Sequence, residues 1–557
     1  MPHPVFIMTS LGPIFADDLA RIKPGDRLRL TISAQTSDAA ALAQAALEAR
    51  ARGERVLVVC ADPADVPRLA QEMPWFEPKL DVRPLPDWET LPYDVLSPQE
   101  ELVSERLEAL YRLTAPTGGA DVLLTSAVTA SQRLSPVSYI GANTFFFHQG
   151  EQISLTTLQK RLAAAGYANV KQVLAAGEFA VRGSIVDVFP MGSERPFRLD
   201  FFDDEIESIR WFDVDTQRSM ESAEEIRLLP GHEFPVDPEA LLAFRQRWRR
   251  EFAGDPKKSI VYCDIEKEIL PPGIEYYLPL FFDETAALTD YLPPNARVFL
   301  LGDIEVALQA FGRDMASRYK VLAADPQRPA LAPERIWLKP EEFFKSLANF
   351  ARFTVEKKEN AEDLKRLTGI EVDRKSQNPV GKLLERTRES AMKGVRTLIA
   401  APSAGRMETM SQLLRTGGLS VEEFPDWQTF LDADSSLGIA AAPLFSGAVF
   451  HHPEIVILSE AELYAASPRR HRLRRVKHAT TLEMMVRDVA ELKPGDAVVH
   501  ADHGIGRYQG LVHMETPDGD AEFLEITYKN DAKLFVPITN LQLISRYAGA
   551  DPEHAPL

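Results

Sequence analysis

The chain has 557 residues, of which 45% are hydrophobic and 26% charged, and its formal net charge is −19. That length exceeds one ordinary hydrophobic core and points to several domains of roughly 100–150 residues, while the acidic balance argues against a protein that grips nucleic acid over most of its surface. Two cysteines, Cys60 and Cys263, are too few for a disulfide framework or a zinc site of their own. The first residues, MPHPVFIMTSLGPIF, lack a basic segment before an apolar core, and no apolar run is long enough to span a bilayer, so a reducing cytoplasm is the expected compartment.

In chain order, SDAAALAQAALEARARG predicts an Ala-rich helix closed by Gly53, and RVLVVCAD a buried parallel-type strand. SERLEALYRL predicts an amphipathic helix and ADVLLTSAVTA a strand followed by a turn, giving an α/β layer up to about residue 143. The segment to about residue 231 is richer in strands. At its centre lies RGSIVDVFPMGSERPFRLDFFDDEIESIRWFD, residues 182–213. There Phe197, Leu199 and Phe201 alternate as an apolar face, with Arg198, Asp200 and Phe202 opposite. Helical patterns and proline-rich loops follow to about residue 350, with RVFLLGD as another strand, and residues 355–380 are charged and weakly periodic, a candidate linker. VRTLIAAPS, METMSQLLRTGG, LGIAAAPL and EIVILSE then predict a compact α/β unit. PRRHRLRRVKH is the one dense basic run, and from about residue 484 short strands with turn signals such as Lys529–Asp531 predict a small barrel. No internal repeat of fixed period is found.

The sequence looks catalytically empty. A P-loop ATPase needs glycines whose amides cradle phosphate, a lysine, and a hydroxyl for Mg²⁺, and no GxxxxGK[ST] occurs. Ser33–Ala41 has the expected strand–loop–helix context without the glycines or the lysine, and SQNPVGKLL around Lys382 also fails the pattern. Gly504–Gly510 has the wrong spacing for GxGxxG and reads as turn glycines in a small barrel. His451-His452 and the pair His500 and His503 lack ligands at metal spacing and read as surface or structural histidines. Asp203-Asp204-Glu205 reads as a solvated turn. What remains is recognition. Phe202 beside Arg198, with Arg182 if its strand runs alongside, has the composition of an interface anchor. The alternative is that Phe202 packs under a neighbouring domain and Arg198 pairs with Asp200 or Asp203. The basic run, Arg469 to Arg475, is a solvated linker, a neutraliser of an acidic neighbour, or a nucleic-acid contact.

Several passages together resemble one family, the bacterial transcription-repair coupling factors (Mfd). They are LPDWETLPYDVLSPQEELVSERLEALYRL (85–113), GEFAVRGSIVDVFPMGSERPFRLDFFDDEIESIRWFDVDTQRS (177–219), PPGIEYYLPLFF, VVHADHGIGRYQGL and YKNDAKLFVPITNLQLISRYAG. The resemblance implies a multidomain α/β and α+β chain. Residues 1–143 would be a UvrB-like domain 1a of degenerate P-loop type, 144–231 a UvrA-binding domain 2, and 232–354 domain 1b. A linker (355–380), a small α/β domain 3 (381–465), a basic linker (466–483) and an RNA-polymerase-interacting, Tudor-like barrel (484–551) would follow. On this likeness the chain is expected to be an N-terminal fragment, without the family's RecG-like ATP-driven DNA translocase and the domain that masks domain 2.

The same resemblance implies the function: an adaptor in transcription-coupled nucleotide excision repair that binds the β subunit of stalled RNA polymerase and recruits UvrA. The family's UvrA-contacting positions fall on Arg182, Arg198 and Phe202, and its polymerase-pairing strand on Leu511, Val512, His513 and Met514. No catalytic residue, metal or cofactor is expected in these residues, since ATP, Mg²⁺ and most DNA contact would belong to the motor, and no membrane partner is expected. The alternatives are a UvrB-like DNA-remodelling ATPase and a CarD-like regulator that binds polymerase alone.

Overall fold

Strands β1 (Arg27–Ser33), β2 (Val56–Cys60), β3 (Val82–Pro84) and β4 (Val122–Ser126) open the chain, and β2 and β4 are buried at every residue, as their unbroken apolar runs require. They come from a computed structural model that describes residues 22–115, 119–323, 325–373, 376–464, 497–500, 504–516, 519–528, 532–537 and 544–546. The chain divides into two units, Met1–Ser467 and Pro468–Leu557. In the first, the strand-rich segment follows as β5 (Phe145–His148), β6 (Ala168–Asn169), β7 (Glu178–Arg182), β8 (Ile185–Val188), β9 (Phe197–Phe202), β10 (Glu205–Phe212), β11 (Ser219–Ala223) and β12 (Glu225–Leu228). The chain then returns to the first sheet with β13 (Arg297–Leu301) and β14 (Ala351–Lys358).

That first sheet has the order β1-β14-β13-β2-β4-β3, and every neighbouring pair is parallel. Residues before and after the inserted segment therefore share one core. The helix Asp38–Ala51 begins as predicted, with seven of its alanines or leucines buried between Ala39 and Ala46 and only a narrow polar line, Gln44 and Glu48, partly exposed beside them. A helix with so narrow a polar stripe must be covered on most of its surface. Here the sheet covers one side, and Phe424 and Phe450 of a third sheet, with Trp427 of the helix Trp427–Asp432 beside it, complete the same hydrophobic cluster.

The inserted segment forms its own sheet, β11-β10-β9-β8-β7-β6, antiparallel except for the pair β6–β7, and β12 pairs with β5 beside it. Phe197, Leu199 and Phe201 point into a core shared with Leu158 and Leu162 of the helix Leu155–Ala164. The predicted alternation thus has its helix on one face only, which leaves the other face to be accounted for.

The stretch 355–380, expected as a linker, instead carries the last residues of β14 and the helix Ala361–Leu367, with Leu367 and Ile370 buried. Elements this short hold too few apolar repeats to show periodicity. Next come β15 (Arg396–Ala401), β16 (Glu422–Phe424), β17 (Leu437–Ala441), β18 (Ala448–His451) and β19 (Glu454–Ser459), in the order β16-β17-β15-β19-β18. All pairs are parallel except β18–β19.

The second unit is a five-stranded antiparallel sheet of β20 (Ala497–His500), β21 (Gly504–Thr516), β22 (Gly519–Thr527), β23 (Lys533–Pro537) and β24 (Ile544–Arg546), in the order β23-β22-β21-β20-β24. Val498, Tyr508, Leu524, Ile526 and Val536 are its core. The basic run of residues 466–483 and the turn Lys529–Asp531 lie outside the described residues. Among the described residues no helix is long and apolar enough to cross a membrane.

Candidate docking surface

Strand register decides whether Arg182, Arg198 and Phe202 belong together. Arg182 pairs with Ile185, Ile185 with Asp200, and Asp187 with Arg198. Arg182, Ile185, Asp187, Arg198, Asp200 and Phe202 therefore share one face of the sheet, opposite the face that packs on the helix Leu155–Ala164. At about 4.8 Å per strand and about 6.8 Å per two residues, the Cα atoms of the trio form a triangle with Arg182 roughly 12 Å from each of the others, which lie roughly 14 Å apart. Phe202 is 69% exposed at the end of β9, where Asp203 turns the chain with φ of 52°. Arg182 is exposed, with one nitrogen donating to the Lys171 carbonyl at 2.8 Å.

Arg198 behaves differently. Its Nε and Nη2 donate to the two oxygens of Asp187 at 2.6 and 2.9 Å, and its Nη1 donates to the Gln217 carbonyl and to Ser219 Oγ. The guanidinium lies 5.0 Å from the Phe212 ring centroid, its side chain is 15% exposed, and Asp187 is buried. The hydrogen bond that Arg198 donates to Asp187, with the charges of that carboxylate and of Asp200, raises the Arg198 pKa against an opposing effect of burial. The local pairing offered as the alternative, with Asp200 or Asp203, is not found; the partner comes from the neighbouring strand. SIVDVF held the signal, a carboxylate flanked by valines on a strand, but its partner depends on register.

At Ser33–Ala41, β1 runs through a short loop into the helix Asp38–Ala51, the setting in which a P-loop holds phosphate at a helix N-terminus. Here the helix amides are already met: Ala39 N donates to Asp38 Oδ1 and Ala40 N to Ser37 Oγ. Asp38 is itself buried, clamped by both Nη atoms of Arg68 at 2.8 Å and by Lys357 at 2.6 Å. Arg68 also reaches Asp65 and Glu72, and Glu72 accepts from the Phe445 amide at 3.1 Å. Val449 of β18 donates to the Gln35 carbonyl at 2.8 Å, so the third sheet closes over the loop. Burial pushes the Asp38 carboxyl up, but Arg68 and then Lys357 outweigh it and hold the pKa at about 2. The crevice at the carboxyl ends of β1, β14, β13 and β2, about 730 Å³, is lined by Asp62, Asp65, Asp303, Glu305 and Glu356 against Arg29, Lys357 and Lys358. That balance repels polyanions.

His451 is not free of carboxylates. Its Nε2 lies 3.1 Å from Asp363, which is buried and accepts from Ser33 Oγ at 2.8 Å. This contact ties β18 to the end of β1, a structural role that a partner 88 residues away concealed. Among the described residues no group of three His, Cys, Asp or Glu side chains is placed to hold a metal.

In the second unit, Leu511–Met514 of β21 pair with Ala521–Leu524 of β22 on one side. On the other side β20 covers only Gly504–Arg507. Among the described residues, the backbone of Leu511–Met514 therefore has one edge without a strand.

Residues 145–234 match the model of the UvrB interaction domain, 391–463 that of the MFD D3 domain, and 492–548 that of the CarD-like/TRCF RID domain. The transcription-repair-coupling factor of Escherichia coli (strain K12) is 38% identical over 512 residues, covering 90% of this chain and 44% of that protein. Its counterpart in Haemophilus influenzae is 38% identical over 488 residues, covering 86% and 42%, and that of Bacillus subtilis (strain 168) is 24% identical over 494 residues, covering 81% and 39%. The chain spans less than half the length of these curated relatives. By the order of its three matched domains and by this identity, the chain is homologous over nine tenths of its length to the transcription-repair-coupling factors.

Proposed function

We propose that this chain is a non-catalytic adaptor in transcription-coupled repair, holding UvrA on the face of the β7–β10 sheet that carries Phe202 and the β subunit of RNA polymerase along β21. The observation that carries the reading is Phe202. A ring 69% exposed, on a sheet face with two arginines and inside a UvrB interaction domain, has the chemistry of an anchor for another protein. Tethering UvrA to polymerase makes its delivery nearly intramolecular, with effective concentrations of order millimolar for short tethers. The test is capture of UvrA and of polymerase by this chain, singly and then together. Binding of polymerase with no affinity for UvrA would favour a CarD-like regulator instead.

On this reading the first sheet is a degenerate P-loop-type layer split into domains 1a (1–143) and 1b (232–354) around the UvrA-binding domain 2 (144–231). Domain 3 (381–465) and the barrel, of Tudor-like type (484–551), follow, in a cytoplasmic protein. The carboxylate of Asp38 stands at the helix terminus a phosphate would need, so these residues take no ATP or Mg²⁺ and hydrolyse nothing. ATP·Mg at millimolar concentration should leave the thermal midpoint unchanged and show no turnover. Turnover abolished by substitution within residues 33–41 would overturn the adaptor reading in favour of a UvrB-like ATPase.

Polymerase pairing by strand addition uses the edge of Leu511–Met514 that β20 leaves uncovered. Proline removes a backbone donor, and adjacent residues of a strand direct their amides to opposite edges. Of Val512→Pro and His513→Pro, the one whose amide faces the open edge should abolish polymerase capture while UvrA capture persists. Full polymerase capture by both variants would exclude this edge.

A further inference from the structure

The sheet face that carries Arg182, Arg198 and Phe202 holds a further cation. Arg210 of β10 stands in register with Arg198 on one side and with Ser222 of β11 on the other. It is exposed, and among the described residues no hydrogen bond or ion pair engages its guanidinium. Arg198, by contrast, directs four hydrogen bonds to Asp187, Gln217 and Ser219, of the five N–H donors a guanidinium offers.

We propose that Arg210 is a partner-contacting residue of this face, and that Arg198 is a positioning residue that holds β8, β9 and the 213–218 turn in place beneath it. The proposal rests on the UvrA docking argued above and specifies its chemistry. The partner surface carries carboxylates for Arg182 and Arg210, whose Cα atoms lie roughly 16 Å apart by strand spacing, with an apolar contact for Phe202 to one side. Neither arginine has a carboxylate partner among the described residues. The acid that shares their face most centrally, Asp187, is neutralised by Arg198, and Asp200 accepts from Ser208 Oγ. Two cations without carboxylate partners, on the same face as an exposed ring, fit an acidic protein surface, for which charge complementarity sets register and encounter rate. A nucleic-acid backbone would also satisfy two cations, but it would leave the ring unused unless bases stacked on it.

The experiment titrates UvrA against this chain at low and high salt. Arg210→Glu should weaken binding at least about tenfold at low salt and less at high salt, with an unchanged thermal midpoint. Arg210→Lys should stay close to wild type. The charge-matched control is Lys160→Glu, exposed on the helix behind the opposite face, and it should bind as wild type. Arg198→Ala should lower the thermal midpoint as well as the affinity. If Arg210→Glu binds like wild type while Phe202→Ala does not, the proposal falls and the docking reading stands. If Arg210→Glu impairs only binding to DNA, the partner class is wrong. Failure of the wild-type chain to bind UvrA removes the docking reading, and this proposal with it. Should Arg210→Glu perturb folding, Arg210→Gln carries the same comparison.

Discussion

Phe202→Ala should weaken UvrA binding roughly 30-fold or more, about 2 kcal/mol, while leaving the thermal midpoint where it is. The two halves of this expectation have separate causes. The ring is 69% exposed and lies outside the hydrophobic clusters, so its removal opens no cavity in the domain. Its loss of affinity comes from the water it excludes when covered. The ring is also pre-organised. Phe202 pairs with Glu205 across a turn of two residues, and Asp203 adopts φ of 52°, a conformation aspartate tolerates. A fixed hairpin tip loses little entropy on docking. Calorimetric titration with UvrA alongside thermal melting separates the two quantities. An unaltered affinity sinks the anchor. A melting loss of the size caused by deleting a core side chain would show instead that the ring serves the domain's own fold.

The placement of Phe202 opposite the apolar face was legible in the sequence because strand periodicity is strict: after Phe197, Leu199 and Phe201, an aromatic at 202 falls on the other side whatever the neighbours do. The buried strands β2, β4, β13 and β15 were equally legible, since parallel strands covered on both faces read as apolar runs. What could not be read was anything fixed by register or by packing between distant segments. Arg198 finds Asp187 only because β8 lies beside β9 with that offset, and Arg210 joins the face only through the pairing of β9 with β10. The helix Asp38–Ala51 looked like half of an ordinary α/β layer. The narrowness of its polar stripe, Gln44 and Glu48 among alanines, was the one hint that a further layer covers it. The predicted linker failed for a related reason, since Ala361–Leu367 is ordered through Asp363, whose partners Ser33 and His451 lie far away in sequence.

Asp38→Ala should destabilise the first unit by about 3–5 kcal/mol, the cost of removing one partner from a buried ion pair. Both Asp38 oxygens receive Arg68, and one also receives Lys357. Without them the cation keeps Asp65 and Glu72, so the lower end of that range is expected. Lys357 is partly exposed and can turn to water. Asp38→Asn keeps the shape and removes the charge, which isolates the electrostatic part. The pH dependence has a definite sign. The folded-state pKa, about 2, lies below the ordinary aspartate value. The ionised carboxylate therefore contributes its full stability above about pH 4 and loses it as pH falls towards 2. Urea denaturation of wild type and Asp38→Asn should show a constant difference from pH 7 to about 5, narrowing only in more acid solution. A difference that disappears already between pH 7 and 5 would assign the effect to another group. The third sheet reaches this cluster through Phe445 N and Glu72. Loosening Asp38 should therefore also speed amide exchange at Phe445 and Val449, where the segment around β18 closes over the start of the helix Asp38–Ala51.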